Sequence, residues 1–118
     1  MEKFRTLNVY QKALEFSKVV RKTTKSFPKD ELFGLISQFR RASDSIVLNI
    51  AEGAGNSSKK EFARFLDFSI RSGFECIGCI DIALTNDYIV KENYEHILSS
   101  VNEIIAMLYG LKKSLLKQ

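Results

Sequence analysis

A single proline in 118 residues is what most limits how this chain can fold. Proline breaks helix interiors and glycine weakens them. With Pro28 alone and six glycines, long helices can run without interruption. The apolar residues supply a matching period. Val9, Ala13, Phe16, Val20 and Phe27 recur on one face, which predicts a helix from about Asn8 to Ser26. Pro28 ends it, because the residue before a proline is steered away from helix. A second helix is expected from near Asp30, a good N-cap type, with Leu32, Leu35, Ile36, Phe39, Ala42, Ile46 and Ile50 as its stripe. Gly53 stands where a helix closes on a left-handed residue, and Gly53-Ala54-Gly55-Asn56-Ser57 reads as a turn. Ser58-Lys59-Lys60-Glu61 has the form of a capping box and opens a third helix that runs to about Asn86. Asn86-Asp87 makes the next break. The fourth helix spans about Lys91 to Leu116, with Tyr94, Leu98, Val101, Ile105, Leu108, Leu111 and Leu115 inward. Apolar residues make up 45%, enough to fold without staples. The expectation is one all-α domain over residues 1–118, an antiparallel up-down-up-down four-helix bundle.

The third helix is apolar on more than one side. Phe62, Leu66, Ser69, Gly73, Ile77, Ile80 and Leu84 suit an internal core. Phe68, Ser72, Cys79 and Ile82 lie on another flank. Scattered surface apolar residues are normal. A helix with a second apolar flank is, however, usually buried on that flank too. Phe68, Cys79 and Ile82 are therefore expected at a subunit interface, with a second copy of the chain as partner.

The formal charge is +4 and the pI about 9.1, which is basic but weaker than a dedicated nucleic-acid tail. Lys18, Arg21, Lys22 and Lys25 follow i, i+3, i+4, i+7 spacing and form one ridge. Lys59, Lys60 and Arg64 cluster at the start of the third helix, and Arg40 and Arg41 lie in the second. Cations on a rigid face can neutralise phosphates. The plain alternative is a solvated face. An oligomer would repeat each ridge and sum its field. Most aromatics occupy core positions, so binding would be led by the backbone and weakly sequence-specific.

Other chemistry finds little support. Cys76-Ile77-Gly78-Cys79 lies inside a helix, and a zinc site needs four ligands. A redox pair would sit at a helix N-terminus after a strand. Small core residues is the better reading. His96 is the lone histidine, and no nucleophile is tied to it. Gly53-Ala54-Gly55 lacks the strand and third glycine of a dinucleotide loop. No cofactor or metal is expected. No run reaches the 18 or so apolar residues of a membrane span, and MEKFRTL lacks a secretory apolar region, so a cytoplasmic protein is the default.

Asn49 and Glu52 break the ordinary logic of the second helix. Asn49 sits at the edge of the apolar stripe. Glu52 lies in the last turn, where the helix dipole disfavours a carboxylate. If buried, it needs donors from the following turn or from an arginine. Buried polar groups can fix register or assembly state, and both residues read as architectural.

These residues also carry a resemblance. Phe27-Pro28, Glu31, Gly34-Leu35, then Gln38-Phe39-Arg40-Arg41-Ala42, then Ser45-Ile46 and Asn49-Ile50-Ala51-Glu52-Gly53 match F-P-x-x-E-x-x-G-L, Q-x-R-R-A and S-I-x-x-N-I-A-E-G. The opening Leu7-Asn8-Val9-Tyr10-Gln11-Lys12-Ala13 matches L-x-V-[WY]-Q-K-A. Ser58, Glu61-Phe62, Phe65-Leu66, Ser72, Glu75 and Ala83 continue the match. This pattern resembles the four-helix-bundle proteins found as intervening-sequence open reading frames in bacterial 23S rRNA genes. There are departures. Asn56 replaces a frequent arginine, Arg71 a usual glycine, and Gly73 and Asp81 usual apolar residues, while Asp44 adds an acid one turn after Arg40.

The resemblance implies a ring, a pentamer, without catalytic activity. It also implies kinship with accessory proteins of diversity-generating retroelements, which bind nucleic acid and a reverse transcriptase. The expected function is thus a non-enzymatic ring binding structured RNA or DNA through phosphates, as accessory to an RNA-processing or reverse-transcribing partner. The alternative is a protein–protein scaffold with no nucleic-acid role.

Overall fold

Four long helices carry the chain: α1 (Asn8–Thr24), α2 (Ser37–Ala54), α3 (Lys59–Thr85) and α4 (Lys91–Leu116). The structure is a computed structural model and describes residues 2–56 and 58–117. Ser57, assigned above to the turn after α2, lies outside the described residues. Among the described residues there is no strand. α2 packs on α1 and α3, α3 on α4, and α4 on α1. The molecule measures 46 × 22 × 21 Å.

The inward stripes meet largely as expected, except that Leu32, in the turn before α2, is 48% exposed. Phe16, Val20, Phe39, Ile46, Ile50, Leu66, Ile80, Val101 and Leu108 are almost wholly buried. Each such side chain contributes about 1.5–3 kcal/mol relative to exposure. Phe62, Ile77 and Leu84, expected in the core, are only half-buried. Ile97 and Ile104 of α4 are buried although they lie off the expected stripe. α4 packs against both α3 and α1, so its buried arc is wider than one row of residues.

The start of the second helix corrects the sequence reading. A 3-10 turn, Lys29–Glu31, leads into a wide turn, Leu32–Ile36, before regular helix begins at Ser37. Asp30 is not the cap. Glu31 accepts a hydrogen bond from the Leu35 amide at 3.3 Å through Oε1. Its other oxygen accepts from Tyr88 Oη at 2.9 Å. Gly34 makes this possible. Its φ of −113° and ψ of −110° are not helical, and a Cβ there would stand 2.9 Å from Glu31 Oε1. Phe27, buried beneath this corner, packs on Tyr88 with ring centroids 5.7 Å apart.

Gly53 also has a different role from the one expected. It is helical and buried within α2. A Cβ on it would lie 2.6 Å from Phe65 Cβ and 3.0 Å from Phe62 Cδ1. The glycine lets α2 approach α3 closely rather than closing the helix. The left-handed position belongs to Asp87, with φ of 60°. There Tyr88 N donates to Ala83 O at 2.8 Å and Asp87 N to Leu84 O at 3.1 Å, the paired bonds of a Schellman ending. Gly73 does for α3 and α4 what Gly53 does for α2 and α3, since a Cβ on it would meet Ile105 Cγ1 at 2.8 Å. The capping box is half made. Glu61 N donates to Ser58 Oγ at 3.2 Å, while the Glu61 carboxylate turns to Arg64 instead.

Candidate functional site

The polar residues of the second helix, read at helical spacing, fall in one row. Gln38, Arg41, Ser45, Asn49 and Glu52 are separated by three or four positions, so they line one side of α2. That side borders α3. Ser72 Oγ donates to Ser45 Oγ at 2.8 Å. Asn49 Nδ2 donates to the same Ser45 oxygen and to the Ser45 carbonyl, both at 2.9 Å. Gln38 Nε2 reaches Glu75 Oε2 at 3.4 Å. Deeper in, the buried Ser69 hydroxyl donates to Ile46 O at 2.9 Å. Asn49 is therefore half-buried in a satisfied ladder. Glu52 is exposed, which removes the need for the donor set a buried carboxylate would require. The turn after α2 uses its backbone, with Asn56 Nδ2 donating to Glu52 O at 3.1 Å.

The α3 side of this face is aromatic and cationic. Phe65 and Phe68 pack edge-on at 5.6 Å. The Arg64 guanidinium lies 5.0 Å and 5.3 Å from their centroids, and Arg71 lies 5.7 Å from that of Phe68. Arg64 is also held by Glu61 at 2.8 and 3.0 Å, and the hydrogen bond to that carboxylate raises its pKa. Phe68 is half-buried and Ile82 is 48% exposed. Cys79, assigned with them to a subunit interface, is instead 2% exposed within the chain. Cys79 lies on the buried arc of α3, whereas Ile82, about 60° farther round the helix, protrudes. Leu48, on the outer side of α2, is 63% exposed.

Above this face, Phe33, Gly34, Ser37, Gln38, Arg41, Ala42, Ser45 and Glu75 enclose a cleft of about 500 Å³. Phe33, on its rim, is 94% exposed. Sequence reading put the apolar stripe first and did not isolate this cleft. The regular row from Gln38 to Glu52 was the available signal. Phe33 carried none, because its exposure follows from the kink at Gly34.

The basic ridge on α1 divides into paired and unpaired cations. Arg21 points to α2, where its NH1 and NH2 donate to Asp44 Oδ1 and Oδ2, each at 2.7 Å. Ser17 Oγ donates to the same carboxylate at 2.7 Å. The hydrogen bond to Arg21 holds the Asp44 carboxyl below its ordinary value. Arg40 is likewise occupied, its Nε donating to the buried Thr24 hydroxyl at 2.9 Å. Asp44 thus serves Arg21 from another helix rather than Arg40 one turn away. Lys18, Lys22 and Lys25 remain exposed and make no ion pair with the described residues. Arg41 is exposed on the α3 side of α2. Lys59 and Lys60 are exposed at the start of α3.

Burial raises the Cys76 thiol well above its ordinary range and pushes Cys79 up to about 11. Neither is a thiolate nucleophile at neutral pH. Among the described residues, no group of three or more His, Cys, Asp and Glu side chains converges to hold a metal ion. No helix among them is long and apolar enough to cross a membrane.

No curated protein matches the chain. A crystal structure of a protein of unknown function from the S23 ribosomal protein family, from Bacteroides thetaiotaomicron, is similar to it with a TM-score of 0.82 and 26% identity. That similarity covers 89% of this chain and 95% of the other. A family model described as 23S rRNA-intervening sequence protein matches residues 5–110. With that match spanning most of its length, and with the row from Gln38 to Glu52 gathered on the α2–α3 face, the chain belongs to the 23S rRNA-intervening sequence protein family.

Proposed function

We propose that this protein is a non-enzymatic, ring-forming bundle of the cytoplasm that binds structured RNA or duplex DNA through phosphates. The carrying observation is the row Lys18, Lys22 and Lys25, exposed along one side of α1 and without an acidic partner among the described residues. A rigid helix fixes the backbone spacing of the three cations, and each phosphate contact releases counterions. Lys29, in the turn that follows, is exposed as well.

Ring assembly has separate support. The up-down-up-down order brings alternate turns together. Phe27 and Glu31 meet Tyr88 at one end, while Phe4, Leu7, Ala54, Gly55 and Phe62 line one cavity at the other. The α2–α3 face then lies along the outside of the bundle. It offers Leu48, Phe68 and Ile82 as apolar surface, with Arg64 and Arg71 beside Glu52 and Glu61. Two charges of each sign suit another copy of the same face or its neighbour, and would suit a polyanion poorly. In a pentamer the lysine row would be repeated around the axis, and the summed field would favour an accessory role beside an RNA-processing or reverse-transcribing protein.

The second reading, a scaffold without nucleic acid, draws on the pairing of Arg21 with Asp44, Arg64 with Glu61 and Arg40 with Thr24. These bonds remove three cations from the expected surface. Fluorescence anisotropy with labelled hairpin RNA and duplex DNA across a salt series separates the two readings. Phosphate binding gives an affinity that falls log-linearly with salt and differs little between sequences. An intact oligomer that binds neither probe at low salt leaves the scaffold.

A further inference from the structure

We propose that the cleft between Phe33, Arg41 and Glu75 binds one unpaired nucleotide of a single strand, its base stacked on Phe33 and its phosphate on Arg41. This inference rests on the nucleic-acid reading and adds a site that reads single strands.

The first observation is the ring. At 94% exposure Phe33 stands almost wholly in water, which is costly for so large an apolar surface. Its placement is not that of a loose loop. The Gly34 kink throws it outward, and the kink is braced by Glu31 bonding to Leu35 N and Tyr88. The second is Arg41. Its guanidinium is exposed, lines the same cleft, and makes no ion pair or hydrogen bond with the described residues. A planar fork of donors suits a phosphate. The third is the lining. Ser37, Gln38, Ser45 and Glu75 bring hydroxyl, amide and carboxylate groups into a space of about 500 Å³, ordinary for a small-ligand site. Glu75 would repel a phosphate placed beside it, but it accepts hydrogen bonds from an exocyclic amino group.

The occupant follows from this division. The walls are polar, so an apolar side chain from another protein gains little inside. The apolar part is one flat ring on the rim, and every base has a π-face to lay on it. Lys25 and Lys29, both exposed, stand on either side of Phe27-Pro28 in the segment that leads from α1 to Phe33.

The chain contains no tryptophan, so Phe33→Trp installs a single reporter. Titration with single-stranded oligoadenylate is expected to quench its emission to saturation. By anisotropy, Phe33→Ala and Arg41→Gln should each weaken oligoadenylate about tenfold while changing duplex RNA of equal length by no more than about twofold. Arg41→Gln should also flatten the salt slope by roughly one unit. Light scattering should show the oligomer unchanged. Absent quenching, or an equal loss for single strand and duplex, overturns the site. A changed oligomer with Phe33→Ala also overturns it, and puts a second copy of the chain on that ring. If the unaltered protein binds neither probe, the nucleic-acid reading itself has failed. If duplex binding stands and Phe33→Ala changes nothing, only the cleft has failed.

Discussion

The two outward faces of this bundle differ in nearly every physical respect. The α2–α3 face is ordered: a ladder through Ser72, Ser45 and Asn49, an arginine-flanked aromatic pair, and charges of both signs. The α1 face is a bare row of lysines. One face has geometry and little net charge, the other net charge and little geometry. Geometry discriminates between partners, while net charge attracts any polyanion. If assembly uses the ordered face and nucleic acid the lysine row, as proposed, mutations should pull the two apart.

The largest effect should come from a charge on the ordered face. Ile82→Asp is harmless to a lone subunit, because that side chain is 48% exposed. If a neighbouring subunit covers it, the uncompensated charge costs about 3–5 kcal/mol and the oligomer dissociates. Light scattering together with circular dichroism should show monomers that are still helical. Ile82 is a cleaner probe than Phe68, whose aspartate would sit between Arg64 and Arg71.

Glycine substitutions sharpen the comparison inside the bundle. Gly53→Ala forces a Cβ to 2.6 Å from Phe65 Cβ, and overpacking of this kind costs about 1–3 kcal/mol. Gly78, also helical, has nothing within 4 Å of its missing Cβ. Gly78→Ala should therefore stabilise by about 0.5–1 kcal/mol. Thermal denaturation of the two variants should move in opposite directions.

Asn49→Ala should cost about 1–2 kcal/mol, the scale for a half-buried hydrogen-bonded group whose partners lose it. Glu52→Ala should change stability by no more than about 0.5 kcal/mol, as at an exposed site. A Glu52 variant that unfolds like the Asn49 variant would mean that its carboxylate is covered in the assembled protein.

On the α1 face the effects on folding are smaller. Replacing Lys18, Lys22 and Lys25 together by glutamine should leave the melting temperature alone and flatten the salt slope by about one unit per lost phosphate contact. Arg21→Gln should do the reverse, costing up to about 1 kcal/mol for a half-exposed pair and changing the slope little. The pair also has a pH signature. Asp44 has a lowered pKa in the fold, so its stabilisation is present above the unfolded carboxylate value and is lost as pH falls through the folded one. Wild type and Asp44→Asn should therefore differ at neutral pH and converge below about pH 4.

Much of the candidate site was legible as residues and little of it as geometry. The row Gln38, Arg41, Ser45, Asn49 and Glu52 is visible from spacing alone, yet spacing does not say which neighbour it faces. Arg21 and Lys22 look alike as adjacent members of a ridge. Asp44, 23 positions away from Arg21, separates them. Cys79 and Ile82 share a flank on a helical wheel, and only the surrounding side chains distinguish a covered sulfur from an exposed isoleucine.

By itself the sequence determined four helices, the bounds of α1, α3 and α4 to within about two residues, the cap at Ser58 and the break at Asn86-Asp87. These depend on local terms: the 3.6-residue period, the scarcity of proline, and side chains that reach backbone amides a few positions away. Tertiary structure decided the rest. Glu31 rather than Asp30 caps the turn that leads into the second helix, because Gly34 leaves room and Tyr88 arrives from beyond the end of α3. Gly53 is a contact glycine because Phe62 and Phe65 press against it. Arg21 and Arg40 are interlocks because α1 lies against α2. In each case the deciding energy is a contact between residues far apart in the chain, and periodicity along one helix does not reveal which residues of another helix lie across from it.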